Sequence, residues 1–178
     1  MYDKIRYCWN VFYYILWHFD ILFSKCIAIF FQNTFFLLLP DSLRDKANEN
    51  LRKGMPRLYD RDLALEIPCG YKELYGLAYL HAFYIAFPLG IISVKIKMIN
   101  DYEYMGIVLG FMLVMHYIAK KLTYEDDERK MFFIECEKKD KQWLIKWYVI
   151  TFSYYIFTAF SSTFGVLYLV DLIMSSIS

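Results

Sequence analysis

The chain has 178 residues, a formal net charge of +1, 58% hydrophobic residues and 21% aromatic residues. The near-neutral charge excludes a general field for nucleic acid, and the apolar fraction exceeds the roughly 45–50% usual in soluble domains. Apolar and charged residues occupy separate blocks, an order that a bilayer imposes and a soluble core rarely needs.

The first apolar block covers residues 11–39. Lys4 and Arg6 precede it, as in a signal peptide, but the block runs on too far and no small-x-small cleavage site follows. It reads as a retained first membrane segment. As one helix it would be roughly 43 Å long, more than the roughly 30 Å of hydrocarbon. A single long helix, tilted or projecting, is the first choice. An interfacial helix followed by a shorter span, or a re-entrant hairpin turning near Asp20–Lys25, are the alternatives. Asp20, Ser24, Ala28 and Gln32 recur every fourth residue and so share one face, which should avoid lipid.

The polar segment 40–73 follows. Ser42 and Asp45 have capping-box spacing, and the helix they open should stop at Gly54, ahead of Pro56. Pro68-Cys69-Gly70 marks a turn. The second span, 74–94, holds His81 as its only ionisable group and Pro88 as a kink. The third, 102–119, carries Glu103 at one end and His116 near the other. The second polar segment, 120–146, opens with Thr123 and Asp126 at capping-box spacing, and its helix reads as able to continue unbroken into the fourth span, 147–174.

The expected fold is therefore all-α, an integral membrane helical bundle of four transmembrane helices in a single multi-pass domain. Of the 20 Lys and Arg residues, seven fall in the first polar segment and eight in the second. The positive-inside rule then puts both polar segments on one side, cytosolic or matrix, and both termini on the other. Lys4 and Arg6 count against that placement of the N-terminus. A bacterial inner membrane or an organellar inner membrane fits.

Small residues repeat at fourfold spacing on three helices: Ala78, Ala82, Ala86 and Gly90; Gly106 and Gly110; Ser161 and Gly165. In lipid, helices associate by close backbone approach, which small residues permit. These stripes serve packing within the chain or against another subunit. His18, Asp20, His81 and His116 are the intramembrane polar candidates with Ser24 and Gln32, and His81 and His116 could approach each other. Trp9, Trp17, Trp143 and Trp147 fall near expected interfaces. Two histidines are too few for a metal or haem site, the four cysteines include no C-x-x-C pair, and no catalytic motif is present, so no metal, cofactor or catalytic residue is assigned. The leading functional expectation is a non-enzymatic accessory or structural subunit within a membrane protein complex. Its partners would be the lipid bilayer and other membrane subunits or copies of itself, with no nucleic acid. A small homo-oligomeric pore or effector in stress, defence or immunity is the alternative, resting on the polar stripe of the first block. A lipid-modifying enzyme using His18, Asp20, His81 or His116 is the third.

Overall fold

The computed structural model describes residues 1–66, 70, 72, 74–82, 86, 88, 100–161, 164, 167–168, 171 and 175. All regular structure among them is helical. Helix α1 (Tyr2–Thr34) is continuous over 33 residues, which makes it about 50 Å long. A 3-10 turn at Phe36–Leu38 leads to α2 (Asp41–Gly54), and another at Pro56–Leu58 leads to the short α3 (Arg61–Glu66). Residues 74–82 are helical. Then come α4 (Asp101–Leu122), α5 (Asp126–Glu137) and α6 (Lys141–Phe160).

Among the described residues, Tyr2–Leu38 and Tyr102–Leu122 are long and apolar enough to cross a membrane. That is two stretches against the four expected. Much of 74–94 and the end of 147–174 lie outside the described residues.

Local chemistry sets the helix boundaries, and at several places it differs from the expectation. Asn100 and Glu103 form a reciprocal capping box at the start of α4: Glu103 N–H donates to Asn100 Oδ1 at 2.9 Å, and Asn100 N–H donates to Glu103 Oε2 at 2.8 Å. Asp140 accepts from Trp143 N–H at 2.6 Å, so α6 starts afresh after a break at Lys138–Asp140 instead of continuing from α5. Ser42 does not cap α2, which begins at Asp41 with Pro40 in the cap position, two residues earlier than expected. Thr123 ends α4 rather than opening α5. Its hydroxyl donates to Ala119 O at 2.8 Å and accepts from the Trp9 indole at 3.1 Å.

The core forms around the first half of α1. Val11, Tyr13, Tyr14, Ile15, Leu16 and Trp17 are buried there, against Ala64 and Leu65 of α3, Leu74, and Phe133 and Cys136 of α5. Tyr13 and Tyr14 meet Phe133 edge to face at 5.3 and 5.4 Å, the arrangement that ring quadrupoles favour. The two polar segments close over this core and touch. Arg61 pairs with Glu137, and Lys130 with Glu66 at 3.5 Å.

The N-terminus joins the same assembly. Tyr2 Oη donates to Lys121 O at 3.1 Å, and Arg6 pairs with Glu128 at 2.9 Å. These contacts set the start of α1 beside the second polar segment.

Gly70 seats the helix at 74–82 on α1. Its φ is +75°, a left-handed conformation that glycine adopts without strain. A Cβ there would lie 2.6 Å from Trp17 N and 2.9 Å from the Leu16 carbonyl carbon. The two backbones come as close as glycine allows.

Candidate functional site

Asn10 is the best-satisfied polar group at the junction of α1 with the α4–α5 turn. It is fully buried. Its amide nitrogen donates to Arg6 O at 2.7 Å and to Leu122 O at 2.8 Å, and its oxygen accepts from Tyr124 N–H at 2.9 Å. A turn whose backbone groups would otherwise be orphaned is thus closed by one side chain. The Arg6 guanidinium lies 4.4 Å from the Tyr124 ring centre beside it. Nearby, an open cleft of about 960 Å³ carries Arg6, Lys120 and Lys121 together with Asp126, Asp127 and Glu128. The signs are mixed, so it presents no single-sign field.

Arg129 of α5 is 2% exposed. It donates to Asp126 Oδ1 at 3.0 Å, to the Tyr13 hydroxyl at 3.3 Å and to Glu66 O at 3.4 Å. It thereby ties both polar segments to α1. Cys136, one turn below the core ring of Phe133, is buried, and that burial pushes its thiol up to about 12. Outside the core, the Glu137 carboxylate holds the Arg61 guanidinium above its ordinary value.

The candidate histidines do not gather. Each meets a tyrosine hydroxyl: His18 Nδ1 and Tyr148 at 2.6 Å, His81 Nε2 and Tyr154 at 2.7 Å, His116 Nδ1 and Tyr79 at 2.8 Å. Tyr79 and His81 are two residues apart on one helix and so point to nearly opposite sides. His81 faces α6, while His116 reaches the other side from α4. The expected approach of His81 to His116 is not made, because the helix at 74–82 lies between them. Among the described residues, no three His, Cys, Asp or Glu side chains group as a metal site would require.

The polar stripe of α1 meets the chain's own first polar segment. Asp20 pairs with Arg57 at 3.8 Å, and Gln32 Nε2 donates to the Tyr59 hydroxyl at 3.2 Å. Ala28 is buried and Ser24 half-buried on the same face.

The small-residue stripes divide. Ala78, Ala82 and Ala86 are buried, with Ala78 packed beside Tyr75 and Ala119 of α4. Gly90 and Gly165 lie outside the described residues, and Ser161 is half-buried. Gly106 and Gly110 differ: a Cβ on either would meet nothing within 4 Å. On the helical wheel they share a stripe with Leu113 and Tyr117, which are 71% and 58% exposed. The side of α4 turned to the chain holds Val108, Met115, His116 and Ala119, opposite that stripe.

Asn10, Arg129 and Thr151 were not among the sequence candidates, and Gly70 was read only as part of a turn. A buried Asn or Arg has no local signature. Thr151 and Thr158, both buried on α6, are seven apart and could have been found as an inward helical stripe. Comparison with known proteins found no matching family model, no matching curated protein and no matching solved structure.

Proposed function

We propose that the chain is a non-enzymatic structural subunit of a membrane protein complex, and that α4 docks its Gly106–Gly110 face on a helix of another subunit. The observation that carries this reading is the open space over both glycines, on the side of α4 turned away from the chain. An exposed glycine pair forgoes the close approach that it permits, whereas a partner helix would use it. The spacing of Gly106, Gly110, Leu113 and Tyr117 is that of a helix–helix contact stripe. The segregation of basic residues into 40–73 and 120–146 supports placing those segments on the cytosolic or matrix side. A pore drew its support from the polar stripe of α1, and that stripe is engaged by Arg57 and Tyr59.

Cross-linking in native membranes tests the docking face. A cysteine replacing Gly110 should join a second protein through a short bifunctional maleimide, and a cysteine replacing Val108 should not. Equal cross-linking at both positions, or at neither, would contradict the proposal.

A further inference from the structure

We infer that α1 does not cross the bilayer but lies in its interface, on the same side as the polar segments, with one apolar face immersed in lipid. The inference rests on the chain being membrane-embedded, and goes beyond that reading by giving its longest helix a lipid surface as partner.

Helix α1 meets the other helices at a steep angle. The contacts of α1 with α6 do not advance in step: Phe12 touches both Trp147 and Tyr154, two turns apart, while Phe19 touches Phe152 between them. Helices that pack along their length do not share contacts in this way; helices that cross steeply do. Two other helices meet α1 by an end. Leu122, at the end of α4, accepts from Asn10, and Gly70, just before the helix at 74–82, sits on the Leu16–Trp17 backbone. If α4 crosses the membrane, α1 runs beneath its end.

The position of α2 points the same way. This helix carries Asp41, Arg44, Asp45, Lys46, Glu49, Arg52 and Lys53. It starts just past the end of α1, and the turn after it comes back to the second half of α1, with Arg57 at Asp20 and Tyr59 at Gln32. Charged α2 therefore lies level with the second half of α1. A crossing α1 would carry it into hydrocarbon, where nothing satisfies such charges.

The exposed face of α1 supplies the apolar surface. Phe19, Leu22, Phe23, Cys26 and Phe30 fall on one side of the helix, opposite Ser24 and Ala28. Phe23 and Phe30 are 54% and 58% exposed. Ile5 and Phe12 fall on the same side, two heptads and one heptad before Phe19, and Phe12 rests on α6 there. The face that meets α6 at one end of α1 thus continues as bare aromatic surface at the other. A polar face covered by protein and an apolar face turned toward the spans is the pattern of an interfacial helix. Charge agrees. With α1 in plane, Lys4, Arg6 and Lys25 join the basic residues of the two polar segments on the inner side.

Depth measurement by nitroxide tests this. Native Cys26 is exposed at the centre of the apolar face, and Cys8→Ser, which removes the other exposed thiol of α1, directs the label to it. Further labels go at Phe19, Phe23, Phe30 and Asn33, with Leu113 on α4 as the reference. The full chain is placed in vesicles of phosphatidylcholine and phosphatidylglycerol, and collision with oxygen and with a nickel chelate gives depth. In-plane α1 predicts that Cys26, Phe23 and Phe30 sit at one shallow depth, with oscillation at the helical period. Depth that instead changes steadily by about 21 Å from Phe19 to Asn33 overturns the inference and leaves membrane residence intact. Labels on α1 open to nickel, or shielded from both reagents by protein, also overturn it. A Leu113 label fully open to nickel defeats the membrane reading itself.

Discussion

Asn10→Ala is the sharpest test of how the N-terminus is held. The substitution removes three hydrogen bonds of 2.7, 2.8 and 2.9 Å from a fully buried position. Arg6 O keeps its place in the α1 ladder, so its loss is small. Leu122 O and Tyr124 N–H lose the partner that closes the turn. Each orphaned group costs about 1–3 kcal/mol, so destabilisation of about 2–6 kcal/mol is expected. Chemical denaturation in a mild detergent, followed by near-ultraviolet circular dichroism of the tyrosine and tryptophan core, reads it out. Asn33→Ala, at an exposed position on the same helix, should stay within about 0.5 kcal/mol of the parent. If the two variants were equally stable, α1 would not be anchored on the α4–α5 turn, and the N-terminus would lose its reason to stay beside the polar segments.

Three further substitutions follow from the same packing. Gly70→Ala adds the cost of a left-handed alanine, about 1–2 kcal/mol, to a contact of 2.6 Å with the Trp17 backbone; a lowered yield and melting temperature are expected, while Gly106→Ala, with open space around it, should melt no lower than the parent. Asp20→Asn should cost less than about 1 kcal/mol, because the Asp20–Arg57 pair is long and about one-third exposed. It should also leave planar bilayers as non-conducting as the parent does; a conductance altered by Asp20→Asn would restore the pore reading. Cys136 should resist maleimide while Cys8 and Cys26 react. Its thiol rises from 9.0 to about 12 in the folded state, so the stability that this group contributes is complete below pH 9 and is lost as pH rises toward 12. Cys136→Ala should remove that part of the alkaline loss, as a denaturation series between pH 8 and 11 would read.

The helical class and the separation of apolar from charged blocks were legible because bilayer and core burial both write long periodic patterns. So was the stripe of Asp20, Ser24 and Gln32 as one face of a helix, although its partners, Arg57 and Tyr59, lie more than 25 residues away and leave no local trace. The long-range contacts of α1 were not legible: residues 11–39 read as one apolar block, and nothing local in them tells that Arg6, Asn10 and Trp17 bond to Glu128, Leu122 and Ala64. The helix boundaries failed where a spacing matched a motif but a competing bond was better. Thr123 bonds back to Ala119 and so closes α4 rather than opening α5. The glycines on α4 could be seen as a packing stripe, but sequence alone does not say which side of a helix its neighbours occupy.

Docking of α4 on a different protein is open to direct test through the mass of the particle extracted into native nanodiscs. One 21.5 kDa chain should be found with a stoichiometric second protein, released by the Gly106→Leu, Gly110→Leu double substitution and retained by Val108→Leu. A lone chain, or a particle made only of 21.5 kDa copies, would contradict the docking.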